Sequence, residues 1–185
     1  MKFNIILITD SSYGISKHNK MPWNFPVDLK FFNKITLNNV CIMGSTTAKD
    51  LGKPLRDRVN IVISSEELDQ LRKDYSDNDF IITRSFEEAL KEANKQCYRS
   101  DKEIFIIGGS RLYNETLQSP NLDKIYYTHI NKSFGCDNFI KYPLLELDNC
   151  KYEVLDKVKI DKLELLDRIE IMTNVELTFY LITKK

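Results

Sequence analysis

Short apolar runs alternate with amphipathic polar stretches from the first residues to about Asp137, with no repeat, low-complexity tract or linker between them. The runs Phe3–Thr9, Val40–Met43, Asn60–Ser64, Phe80–Thr83, Glu103–Ile107 and Lys124–His129 are rich in β-branched residues and apolar on both sides, the pattern of strands covered on both faces. Helical spacing occupies the intervals Pro26–Thr36, Thr46–Leu51, Glu66–Lys73, Glu87–Gln96 and Arg111–Leu117. Ser85-Phe-Glu-Glu88 opens the fourth of these with a capping-box arrangement. After Asp137 the pattern changes to long alternating stretches, Tyr152–Ile160 and Val175–Thr183, which predict an antiparallel hairpin added to the sheet edge, although the alternation in Glu176-Leu-Thr-Phe-Tyr-Leu181 is imperfect. The sum predicts one α/β domain over residues 1–185, with a mostly parallel central sheet flanked by helices and a C-terminal antiparallel hairpin.

Composition narrows the partners. The 185 residues carry 27 Lys plus Arg against 27 Asp plus Glu, so no long-range field favours nucleic acid or an anionic membrane, and an anionic ligand needs locally placed cations. Cys41, Cys97, Cys136 and Cys150 form no CxxC pair, which reads as reduced packing thiols and a cytoplasmic location, with no metal site. The apolar N-terminal run Phe3–Ile8 is too short for a membrane span and lacks a signal-peptide pattern.

Three segments carry candidate chemistry. In Gly14-Ile-Ser-Lys-His-Asn-Lys-Met-Pro-Trp-Asn-Phe-Pro-Val-Asp28-Leu-Lys-Phe-Phe32, a polar loop runs into a helix whose first turn holds an acid among Trp23, Phe25, Leu29 and Phe32. An N-terminal acid is favoured by the helix dipole alone, but an acid crowded by aromatic surface is costly unless a polar partner meets it. Val40-Cys-Ile-Met43 followed by Gly44-Ser-Thr-Thr47 offers N–H groups and hydroxyls at a helix start, either as ordinary caps or for phosphate. Ile106-Ile-Gly108-Gly109-Ser-Arg-Leu-Tyr113 places two glycines between a buried strand and a helix, where backbone can approach a ligand, though without a full GxGxxG. Thr128 and Arg58 read in isolation as a packing threonine and a solvated arginine. His18 and His129 lack any nucleophile or metal constellation, and neither is assigned to catalysis.

In order along the chain stand a buried first strand, GI…MPWN.P.DL..F, IMG.TT, GKPL..R.N.V.SS, IIGGSRLY and IYYTHI…D. This series resembles the dihydrofolate reductase family from Phe3 to about Asp137, with the terminal hairpin similar in pattern only. The resemblance implies reduction of 7,8-dihydrofolate to tetrahydrofolate by hydride transfer from NADPH, in support of one-carbon metabolism and thymidylate synthesis. It implies that Asp28 is the sole ionisable catalytic side chain, hydrogen-bonded to the pterin, with Trp23 holding a water beside it and Thr128 bonded to it. Ile6 and Ile107 would offer main-chain carbonyls to the pterin, Leu29 and Phe32 would pack on the substrate's aromatic tail with Tyr113 among the contacts, and Arg58 would take a glutamate carboxylate.

For the cofactor, the resemblance puts nicotinamide near Ile8 and Ile15, and pyrophosphate between Thr46–Thr47 and Gly109, Ser110 and Arg111. Gly44, Ser45, Gly108 and Leu112 complete those turns, and Ser64, Ser65 and Arg84 would meet the adenosine end. Gly108-Gly109 would carry a cis peptide. The chain departs from the family pattern at Ser45, where an arginine is common, and at Ala48, where a tryptophan usually stands; Arg84 and the serines are expected to compensate, which keeps NADPH as the cofactor. Ser16 and Asn19 occupy positions where glycines are frequent, and Asn accommodates positive φ more readily than Ser. Ser110 replaces a third glycine. The expected partner is a small molecule, with no nucleic acid and no membrane, for a monomer unless the chain is fused to thymidylate synthase. Two other readings are a folate- and NADPH-binding domain with weak or no turnover, and the pyrimidine reductase of riboflavin synthesis, which should lack the Trp23 and Asp28 pair.

Overall fold

A computed structural model describes residues 2–64, 80–161, 163–165, 169–170 and 174–184, with backbone only at 163–165 and 169–170. Eight of the described strands form one sheet, in the order β10-β13-β8-β1-β7-β4-β5-β6. They are β1 (Phe3–Thr9), β4 (Val40–Gly44), β5 (Val59–Ile63), β6 (Ile81–Thr83), β7 (Ile104–Ile106), β8 (Leu122–Ile130), β10 (Cys150–Ile160) and β13 (Val175–Lys184). From β8 to β6 every neighbouring pair is parallel. Between these strands lie α1 (Pro26–Thr36), α2 (Ser45–Leu51), α3 (Phe86–Cys97) and α4 (Ser110–Thr116). All seven residues of β1 are buried. That is the expected consequence of a parallel strand with neighbours on both edges and cover on both faces, and it explains the continuous apolar run.

Alternation divides the sheet's two faces. Ile5, Leu7, Ile42, Ile106 and Tyr127 pack with Ala89, Ala93 and Cys97 of α3. On the opposite face, Ile6, Met43, Phe105 and Ile107 meet Ala48 of α2 and Phe31, Phe32 and Ile35 of α1. Helix α1 therefore lies on one face, beside the carboxyl ends of β1, β4 and β8, where ligands of open α/β sheets bind.

The terminal hairpin pairs β10 with β13 antiparallel, and β13 continues antiparallel onto β8. The imperfect alternation in the last strand has a physical cause: β13 lies inside the sheet, so Leu177, Thr178 and Phe179 are all buried. Two small sheets escape periodicity because their strands are too short to show a period. One pairs β2 (Gly14–Ser16) with β9 (Asn138–Phe139), and the other joins β3 (Trp23–Asn24), β11 (Leu163–Leu165) and β12 (Ile169–Glu170). The helix expected at Glu66–Lys73 lies outside the described residues. No helix among the described residues is long and apolar enough to cross a membrane.

The capping box at α3 is altered in one arm. Ser85 Oγ accepts the Glu88 N–H at 3.2 Å, but the Glu88 carboxylate accepts from Arg84 N–H at 2.9 Å rather than from Ser85. Ser85→Ala is expected to lower stability by about 1 kcal/mol, read as a lower urea midpoint at unchanged m value.

Candidate active site

Phe25 precedes α1 with extended backbone and no side-chain cap, Pro26 fills the first turn, and Asp28 follows in that turn. Trp23 and Phe25 are buried on one side of the acid, while Leu29 is 56% exposed beside it. Asp28 keeps partial solvent access, but burial of its carboxyl is the dominant influence and lifts its pKa to about 6; a hydrogen bond from the buried Thr128 hydroxyl acts in the opposite direction. The Tyr113 hydroxyl is close enough for the Asp28 charge to raise its pKa further above the ordinary phenol value, after burial as the larger cause. That hydroxyl donates to the Ile6 carbonyl at 2.8 Å, which leaves the carbonyl one lone pair. The Trp23 indole N–H is buried without an acceptor among the described residues.

At the carboxyl end of the same sheet, two strand-to-helix turns meet. Gly44 N–H donates to Gly108 O at 2.9 Å and Ile107 N–H to Ile42 O at 3.0 Å, so the turn after β4 is stitched to the turn after β7. The Gly108–Gly109 peptide is cis. Gly108 has φ +133, and a Cβ there would lie 3.2 Å from Thr47 Oγ1 and 3.4 Å from the Tyr113 hydroxyl, so only glycine fits. Neither α2 nor α4 has a side-chain cap. Each helix starts from a glycine, and Thr47 Oγ1 lies 3.2 and 3.5 Å from the Cβ positions of Gly108 and Gly109, so the two helix starts, carrying Ser45, Thr46, Thr47, Ser110 and Arg111, lie side by side as one glycine-lined cradle. Leu112 faces away into the core.

Arg58 is drawn onto α1. Its guanidinium donates to Asn33 Oδ1 at 2.7 Å and to Arg56 O at 3.2 Å, and lies 5.8 Å from the Phe32 ring centre. Buried Asn60 shapes its loop, accepting from Leu55 N–H at 3.0 Å and donating to the carbonyls of Leu55 at 2.9 Å and Arg58 at 3.0 Å. Ile8 is buried beside Trp23, and Ile15 is half-buried against the opposite core. Ser64 N–H donates to Thr83 O at 2.9 Å, next to exposed Arg84; Ser65 lies outside the described residues. In the loop, Asn19 adopts φ +62 while Ser16 stays in β2, and the other positive φ values there fall on Tyr13 and His18. Neither histidine reaches the acid: His129 bonds the Tyr127 hydroxyl at 2.9 Å, and His18 lies 3.3 Å from Asp137. Two organising residues, Asn60 and Asp10, were not singled out by the sequence pattern, because a buried polar side chain inside or just after a strand has no periodic signal.

Because Asp28 binds its proton more tightly in the folded state, the stabilisation from protonation is complete below about pH 4 and is lost as pH rises through about 6. Asp28→Asn is therefore expected to stabilise the unliganded protein at about pH 8 by roughly 1–3 kcal/mol, a difference that vanishes near pH 4. Urea denaturation at the two pH values measures it.

The family model described as dihydrofolate reductase matches residues 2–171. The chain is 34% identical over 160 residues to a dihydrofolate reductase of Buchnera aphidicola subsp. Baizongia pistaciae, covering 86% of this chain and 87% of that protein. It is 33% identical over 162 residues to a dihydrofolate reductase of Haemophilus influenzae, covering 88% of this chain and 91% of the other. Among solved structures it is similar to dihydrofolate reductase from Enterococcus faecalis complexed with NADP(H) and RAB-propyl, with TM-score 0.69, 25% identity, and 100% of this chain and 96% of that chain covered. With the glycine cradle and the recessed acid in the order the motifs require, the chain belongs to the dihydrofolate reductase family.

Proposed function

We propose that this chain reduces 7,8-dihydrofolate to tetrahydrofolate with NADPH, supporting one-carbon metabolism and thymidylate synthesis. The observation that carries the reading is a carboxyl poised at about 6, held by Thr128 beside Trp23 and Tyr113, on the same sheet edge as the glycine cradle.

Asp28 faces the pterin and hydrogen-bonds its amino group and ring N–H, a two-point contact suited to a carboxylate. Thr128 fixes the orientation of that carboxyl. The buried Trp23 N–H, with no acceptor among the described residues, is placed to hold a water beside the acid. The Ile6 carbonyl, already bonded by Tyr113, keeps a lone pair for the pterin amino group, and Ile107 supplies a second carbonyl. Leu29 and Phe32 line the tail, and Arg58, steadied by Asn33, takes a carboxylate of the glutamate.

The cradle fits a dinucleotide pyrophosphate, since Gly44, Gly108 and Gly109 leave no side chain between backbone donors and ligand. Bound NADPH would supply a hydride for C6 of the substrate, with N5 taking its proton from solvent. Ile8 and Ile15 would hold the nicotinamide ring and exclude water, Thr46, Thr47, Ser110 and Arg111 the pyrophosphate, and Ser64, Ser65 and Arg84 the adenosine end. Asp28 raises the basicity of N5 through its contact with the ring. Free thiols at all four cysteines support a cytoplasmic enzyme, acting as a monomer unless the chain is one domain of a fusion with thymidylate synthase. A folate- and NADPH-binding domain without turnover is favoured only by Ser45, Ala48 and Ser16. The presence of Trp23 and Asp28 argues against the riboflavin-pathway reductase.

Mixing the protein with NADPH and dihydrofolate and following reduced-nicotinamide absorbance tests the reading. Turnover is expected, with kcat lowered about a hundredfold or more in Asp28→Asn. Saturable NADPH binding without turnover in the parent points instead to the binding domain.

A further inference from the structure

Asp10, just after β1, is completely buried, and its carboxylate gathers donors from two loops far apart in sequence. Oδ1 accepts the N–H groups of Ser12 at 2.9 Å and Gly14 at 2.8 Å. Oδ2 accepts the Phe134 N–H at 2.9 Å and the Ser133 hydroxyl at 3.4 Å. The Cys136 thiol bonds the same carboxylate, and its pKa is pushed up to about 12, chiefly by burial and then by the Asp10 charge, which keeps it a donor. The two loops also touch directly: a Cβ built on Gly14 would lie 2.4 Å from Cys136 Cβ. Ser11 N–H adds a main-chain bond to Lys132 O at 3.2 Å.

What Asp10 holds reaches the active site in two steps. The ring of Phe134, the residue whose main-chain N–H Asp10 accepts, lies 5.1 Å from the Trp23 ring and 6.5 Å from the Phe25 ring, centre to centre. Phe25 is the residue before α1, and its carbonyl accepts the Leu29 N–H at 3.1 Å in the turn that carries Asp28. We propose that Asp10 is a positioning residue for the reductase reaction: by fixing the Phe134 main chain it sets the ring on which Trp23 and the first turn of α1 rest, and so the place of Asp28. This rests on the reductase reading above. Asp10 lies too deep in the loop junction to touch substrate, and it acts through Phe134.

Asn at position 10 matches Asp in size but turns an N–H2 group toward one of the two donor sets, so Asp10→Asn breaks half of the junction. The chain contains one tryptophan, so fluorescence reports Trp23 alone. The expected result is a folded variant by far-UV circular dichroism with shifted Trp23 emission, kcat lowered about tenfold, KM values changed less than about threefold, and a larger isotope effect with deuterated NADPH. A parent-like kcat overturns the proposal. So does a kcat loss that only tracks the unfolded fraction while emission and isotope effect stay at parent values. If Asp10→Asn does not fold, Phe134→Leu keeps every main-chain donor and removes only the ring; shifted emission with lowered kcat supports the proposal, and parent values for either overturn it. Absence of turnover in the parent would sink the reductase reading alone, and Trp23 emission in the variants would still decide the positioning, with unchanged emission overturning it.

Discussion

A carboxyl desolvated among aromatic and aliphatic side chains is the costly feature around which this fold is arranged. Asp28 could lower that cost by gathering donors, as buried carboxylates usually do, but the protein gives it the Thr128 hydroxyl and an apolar rim, and its pKa settles at about 6. The rest of the structure tolerates this because the site lies where a parallel sheet already concentrates stability. The β1 strand is buried throughout, and its neighbour β8 runs in parallel register with Ile8 opposite Thr128. The destabilised group, in the first turn of α1, therefore lies against buried parallel strands, and the penalty is localised to one side chain.

Much of this was legible in the sequence, for identifiable reasons. The Phe3–Thr9 strand was fixed to the residue because a fully buried parallel strand leaves an unbroken apolar run. The Pro26–Thr36 helix was equally clear, since Pro26 marks its first turn and nothing inside it breaks the period. Thr128 was different. A threonine in a buried strand reads as packing, and only the motif order suggested a bond to Asp28, one hundred residues away in the chain. The strands around Gly14, Trp23 and Asn138 were not legible at all, because two or three residues cannot display alternation. Trp23 nevertheless depends on such a pairing, with Leu165 as its backbone neighbour.

Residues that serve the backbone rather than the core are the systematic blind spot. Asn60 sits within an apolar strand run, and its side chain spends its polar capacity on Leu55 and Arg58. From the sequence it is one polar residue at a strand start. In three dimensions it shapes the loop that carries Arg58, and Arg58 in turn spans to Asn33 on α1. Arg58 is thus oriented by two asparagines, neither of which any pattern of hydrophobicity could mark.

Asp10 and Asp28 show how environment assigns opposite work to one residue type. Both follow strand or helix boundaries, but Asp10 is fully buried whereas Asp28 keeps partial solvent access. Asp10 receives main-chain N–H groups from Ser12, Gly14 and Phe134, so its charge is spread over fixed dipoles and it serves as a rigid joint between two loops. Among the described residues, Asp28 meets the Thr128 hydroxyl and keeps partial solvent access. A carboxylate saturated by its own backbone has nothing to offer a ligand, whereas one kept short of donors is energetically complete only when a ligand with matching N–H groups arrives. The difference between a joint and the proposed reactive centre is therefore the number of donors the fold supplies, and on this reading the joint serves by holding that centre in place.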